Sequence, residues 1–88
     1  MTTKHASHPG IIKRLKRAEG HLRAVIAMFG EGRTCLDLAQ QLHAVESAVS
    51  NAKRELIHDH IENCLDEPEI ALSSRGALKE LKAISKYL

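Results

Sequence analysis

Residues 34–67 read TCLDLAQQLHAVESAVSNAKRELIHDHIENCLDE, and no Gly or Pro interrupts the chain from Thr34 until Pro68. Leu38, Leu42, Val45, Val49, Ala52 and Leu56 recur alternately four and three residues apart, the seam of a helix that packs against other helices. Ala39, Ala44, Ala48 and Ala52 are small enough to let a neighbouring helix approach. Thr34 and Asp37 are spaced as an N-cap and its partner three residues on. A helix over about 34–67 is roughly 50 Å long at 1.5 Å per residue. A compact chain of this size is only about 25–30 Å across. The rest of the chain cannot cover such a helix, so it is expected to pair with a second copy of itself.

Working outward, Ile11, Leu15, Ala18, Leu22, Val25 and Phe29 repeat the same pattern and predict a first helix over about 9–29. Pro9 suits a first helical turn, and Gly30 is placed to supply the left-handed residue that ends it. Gly20 lies inside this helix at a cost of about 1 kcal/mol relative to Ala, which close packing against a neighbouring helix would explain. A third helix is expected over about 74–87, with Leu78, Leu81, Ile84 and Leu88 on one side. Residues 1–8 read as a flexible arm. The whole is a single all-α domain of three helices, 1–88, with no strand.

Composition narrows the function. The 88 residues are 43% hydrophobic and hold one Tyr, one Phe and no Trp, which is thin material for an isolated core. Two cysteines are too few for a disulfide scaffold and point to a cytoplasmic chain whose thiols serve metal binding or redox chemistry. The first ten residues are polar and contain Pro9 and Gly10, so no signal peptide is expected. No apolar run approaches the roughly 20 residues of a membrane span. There is no phosphate-cradling glycine loop and no nucleophile elbow, so an enzyme is not expected.

The net charge of +2 is unevenly spread. Lys13, Arg14, Lys16, Arg17 and Arg23 against Glu19 give residues 8–29 a net +4, while residues 30–88 carry −3. A basic end on a near-neutral chain is the footprint of a polyanion partner, nucleic acid above all. A merely solvated helix face is the alternative.

Cys35, His60 and Cys64 are the candidate metal ligands. His60 and Cys64 are four residues apart and share a helix face. Cys35 is 25 residues from His60, roughly 37 Å along a helix, so the three cannot hold one ion within one chain. Antiparallel pairing of two copies sets Cys35 of one protomer beside His60 and Cys64 of the other, and two-fold symmetry makes two such sites. Thiolate with imidazole favours Cu(I), Zn(II) or Ni(II) over Mg(II) or Ca(II). Cys35 stands at a helix N-terminus, where the dipole favours negative charge, while Asp59, Glu62, Asp66 and Glu67 crowd the far end, where a cation would relieve them. Two buried cysteines and a surface histidine are the alternative. His5 and His8 lie in the arm and are further candidate ligands, or simply solvated. His21, His43 and His58 read as surface or packing residues.

The stretches RLKRAEGHLRAV (Arg14–Val25), Cys35, QQLHAVESAVSNAK (Gln40–Lys53) and HDHIENC (His58–Cys64) resemble the copper-, nickel- and formaldehyde-responsive repressors of the CsoR/RcnR/FrmR family. The resemblance covers nearly the whole chain. It implies an antiparallel four-helix-bundle dimer, two of which form a flat homotetramer. It also implies binding to operator double-stranded DNA without a helix-turn-helix, and release when an inducer occupies the Cys/His site.

Position by position, Cys35, His60 and Cys64 match the copper branch, which holds Cu(I) between two thiolates and an imidazole. Glu80 falls where that branch places a glutamate behind the ligating histidine, a partner that would fix the ring tautomer. Thr34 replaces the tyrosine of that branch. Nickel and cobalt members add an N-terminal histidine, near His5 or His8. Formaldehyde members have a proline where this chain has Thr2, and persulfide-sensing relatives use two cysteines alone, which would leave His60 idle. Arg14 matches a DNA-contacting position, flanked by Lys13, Lys16 and Arg17. Asn51 replaces an arginine of some members, with Lys53 and Arg54 nearby.

The expected function is a metal-responsive repressor of a metal-efflux gene that takes one ion per protomer. Cu(I) comes first, Ni(II) or Co(II) second, with Zn(II) also open. A metal buffer without a DNA role is the rival, though a buffer needs no +4 helix. A plain helical dimerisation module is a third reading.

Overall fold

The structure, a computed structural model, describes residues 7–66 and 75–88, with the side chains of residues 64–66, 75 and 77 outside the description. Three helices form, α1 over His8–Met28, α2 over Cys35–Asp66 and α3 over Arg75–Ile84, with 3-10 turns at Phe29–Glu31 and Ser85–Tyr87. No strand occurs among the described residues. His8, placed in the arm by the sequence, is the first residue of α1 and precedes Pro9 in its first turn. Residues 1–6 and 67–74 lie outside the described part of the chain, among them His5.

α1 and α2 run antiparallel as a hairpin. His21 Nε2 meets Gln41 Oε1 at 2.8 Å near the connecting turn, and Arg14 Nη1 meets Glu55 Oε1 at 3.4 Å toward the far end. The residue with positive φ that turns the chain is Gly32, at +73°, not Gly30. The last turn of α1 tightens into the 3-10 turn, which moves the left-handed position two residues on. Nothing lies within 4 Å of the place a Cβ would occupy at Gly20, so packing within the chain does not account for this glycine.

The molecule measures 57 × 24 × 14 Å, with a radius of gyration of 17.6 Å. A compact chain of this length would have about 12 Å. It is a single layer of helices, about one helix diameter thick. Among the described residues the buried apolar ones are few: Ile11, Ala18 and Val25 on α1, and Val45, Ala52 and Ile57 on α2.

The seam on each helix is split. On α1, Ile11, Ala18 and Val25 turn toward α2, while Leu15, Leu22 and Phe29 stay exposed. On α2, Val45 and Ala52 are buried, while Leu42, Val49 and Leu56 are exposed by 42%, 46% and 38%. The reason is geometric. A two-helix hairpin can cover only one flank of each stripe.

The two broad faces of this layer differ. At about 100° per residue, Leu15 and Leu22 lie within about 60° of buried Ala18 on one flank, and Arg14, His21 and Arg17 lie on the other. The same rotation on α2 puts Leu42, Val49 and Leu56 on the apolar face and Gln41, Asn51 and Glu55 on the polar one. The His21–Gln41 and Arg14–Glu55 pairs agree with this assignment.

Candidate metal centre and nucleic-acid face

The start of α2 is built by its cap. The Asp37 N–H donates to Thr34 Oγ1 at 3.0 Å, and the Leu38 N–H donates to the Thr34 carbonyl at 3.0 Å. Arg33 donates from Nη1 to Asp37 Oδ2 at 2.9 Å and from Nε to Glu31 Oε1 at 3.3 Å. The hydrogen bond to Asp37, then the field of both carboxylates, raises the Arg33 guanidinium above its ordinary value. Cys35 is thus fixed as the first residue of α2, a free and exposed thiol.

At the other end of α2, the half-buried His60 sets Nε2 3.3 Å from Glu80 Oε1 on α3. This pair ties α3 to α2. Cys64 lies one turn further along α2, its side chain outside the described residues. His8 meets Asp59, with Nε2 and Oδ2 3.9 Å apart. It therefore sits at the His60 end of the hairpin, directed at the neighbouring residue. The described residues hold no group of three or more His, Cys, Asp or Glu able to bind a metal. A continuous α2 keeps Cys35 and His60 roughly 37 Å apart.

The two ends nevertheless share an azimuth. Cys35, Leu42, Val49 and Leu56 are successive sevenths on α2, and His60 and Cys64 are the next two steps of four. A seven-residue step drifts only about 20° around a helix. The candidate ligands therefore continue the exposed apolar stripe at both its ends.

The opposite face carries the basic residues. Arg14, Arg17 and His21 of α1 line one groove with Asn51 of α2. The groove continues past Arg54 and Glu55 toward Asp59 and Glu62. Arg54 Nη1 reaches Asn51 Oδ1 at 3.5 Å. Lys13 and Lys16 are exposed on α1 and Arg54 on α2, whereas Lys53, seven residues before His60, falls at the azimuth of the apolar stripe and off this face. Arg23 is paired with Glu19 at 3.8 Å and adds less to this face. Two polar residues of this face carry no signal in the sequence. Glu55 and Gln41 find their partners 41 and 20 residues away, where no local spacing rule reaches.

Residues 7–87 match the family of metal-sensitive transcriptional repressors. The chain is 36% identical over 76 residues to the copper-sensing transcriptional repressor CsoR of Mycobacterium ulcerans, which covers 86% of this chain and 65% of that protein. It is 33% identical over 76 residues to CsoR of Bacillus subtilis, covering 86% and 75%. It is 36% identical over 53 residues to the copper-sensing transcriptional repressor RicR of Mycobacterium tuberculosis, covering 60% and 55%. The match to the mycobacterial CsoR spans just under two thirds of that relative's own length. No solved structure matches. Among the described residues no helix is long and apolar enough to cross a membrane.

Proposed function

The chain belongs to the metal-sensitive transcriptional repressors, a non-enzymatic family, and from that premise we propose that it is a copper-responsive repressor whose inducer site is shared between two protomers. The observation that carries the reading is the position of Cys35 and His60 at the two ends of one exposed apolar stripe. A second copy laid antiparallel on Leu15, Leu22, Leu42, Val49 and Leu56 buries that stripe. The same move brings Cys35 of one protomer to His60 and Cys64 of the other.

The donor set fits the metal. Two thiolates and an imidazole are soft ligands that suit Cu(I), and the Glu80 carboxylate at 3.3 Å holds the His60 ring in one orientation. Cys35 of one protomer with His60 and Cys64 of its partner would hold one Cu(I) per protomer, which would cross-link helices of different chains. Lys13, Arg14, Lys16, Arg17 and Arg54 face outward from the assembled bundle and take the phosphates of operator DNA in the cytoplasm. His60 and Glu80 connect the inducer end of α2 to α3, so a change in how α2 is held reaches the basic face through the hairpin. Two dimers side by side form the tetramer that offers an extended basic surface. His8 is engaged with Asp59, and the named relatives sense copper, which favours copper over nickel or cobalt.

The test is a competition titration of the reduced protein with Cu(I), Ni(II), Co(II) and Zn(II), followed by binding of each complex to a duplex selected by the apo protein from a random-sequence pool. Cu(I) is expected to bind tightest at one per protomer and to release the duplex. Equal DNA affinity of the apo and Cu(I) forms would reject the mechanism.

A further inference from the structure

Among the acids that line the basic groove, Glu55 stands against a cation that the DNA reading uses. Glu55 Oε1 is shielded from solvent and has no hydrogen-bond donor among the described residues. Its charge partner is the Arg14 guanidinium, which reaches across from α1 to 3.4 Å. Arg14 keeps 61% of its side chain exposed, against 36% for Glu55. The arginine therefore presents a solvent side toward a phosphate and an inner side toward a carboxylate.

On the footing of the DNA-binding role proposed above, we infer that Glu55 is an internal competitor for Arg14 and sets the DNA affinity of the apo protein below what the basic face alone would give. A phosphate that draws Arg14 outward must leave a shielded carboxylate oxygen without its cation, and a buried acceptor stripped of its partner is unfavourable. If Arg14 stays in place and serves both anions, the Glu55 charge still repels the phosphate. Both effects act in the same direction. The other cations of the groove are differently placed. Arg54 approaches the neutral amide of Asn51, so the competition is particular to Arg14. Glu55 is a positioning residue here, acting on DNA through the arginine.

Exposed and half-exposed ion pairs are weak, so the effect is modest. Glu55→Gln is expected to tighten binding to the selected duplex roughly two- to fivefold at low salt. The experiment measures duplex affinity across a salt series for wild type, Glu55→Gln, Arg14→Ala and the double variant, with thermal midpoints as a check on folding. Glu55→Ala serves as a second removal of the charge. The expected result is tighter binding for both Glu55 variants, and a double variant that binds as Arg14→Ala does. Unchanged or weaker binding by the Glu55 variants overturns the inference and leaves the DNA reading intact. Tightening that persists without Arg14 overturns the route through the arginine. A wild-type protein that binds no duplex overturns both this inference and the DNA role it rests on.

Discussion

Truncating Leu42 to Ala separates the two flanks of the α2 seam. Leu42 is still 42% exposed in the single chain, so completing its burial falls to a partner. Full burial of a leucine side chain stabilises by about 1.5–3 kcal/mol, and the uncovered share corresponds to roughly 0.6–1.3 kcal/mol. An isologous dimer repeats each contact, which doubles the figure to roughly 1.2–2.5 kcal/mol per dimer. At 1.4 kcal/mol per factor of ten, Leu42→Ala is expected to raise the dimer dissociation constant about 7- to 60-fold. Leu36 is the control. It is 69% exposed and lies about half a turn of helix from the stripe, so Leu36→Ala should leave association unchanged. Sedimentation equilibrium of the reduced apo protein reads both variants. Equal dissociation constants for the wild type and Leu42→Ala, or an equal loss with Leu36→Ala, would refute the claim that this stripe is the interface. A folded wild-type monomer at micromolar concentration would refute it outright.

Two further outcomes follow from the polar face and the inducer end. Arg14→Ala should weaken duplex binding, lower the salt slope by about one phosphate contact and leave Cu(I) affinity unchanged. Unaltered DNA binding and slope would make the basic groove ordinary solvated surface. In the wild type, one Cu(I) per protomer should weaken duplex binding by about 5–150-fold. Glu80→Gln should bring that ratio toward one while the thiolates still hold the ion, and an undiminished ratio would remove Glu80 from the coupling.

Much of this architecture was readable in residues 34–67 because long helices obey local rules. The apolar period fixed α2, and the Thr34–Asp37 spacing anticipated a cap that forms at 3.0 Å. The length of α2 forced the candidate ligands apart, and the structure keeps them on one uninterrupted helix. What could not be read was which half of each stripe the chain keeps for itself. Leu15 and Ala18 belong to the same apolar repeat in sequence, and only the hairpin's crossing decides that Ala18 is covered and Leu15 is not. The turn was misplaced because Gly30 and Gly32 are both competent, and the choice of Gly32 depends on how the end of α1 tightens. His60 and Glu80, 20 residues apart, meet only once α3 folds back onto α2. The resemblance to known repressors placed that pair, since no spacing rule does.

The central claim is that each inducer site is divided between two chains, and mixing variants tests it most directly. Cys35→Ala and His60→Ala each destroy both sites of their own homodimer. In a mixed dimer, the intact Cys35 of the His60 variant faces the intact His60 and Cys64 of the Cys35 variant, so one complete site returns. Cu(I) competition titration of the two variants before and after subunit exchange reads this. A new high-affinity Cu(I) equivalent, about one for every mixed dimer formed, is the predicted result. A mixture that binds no more tightly than its separate components would contradict the shared site.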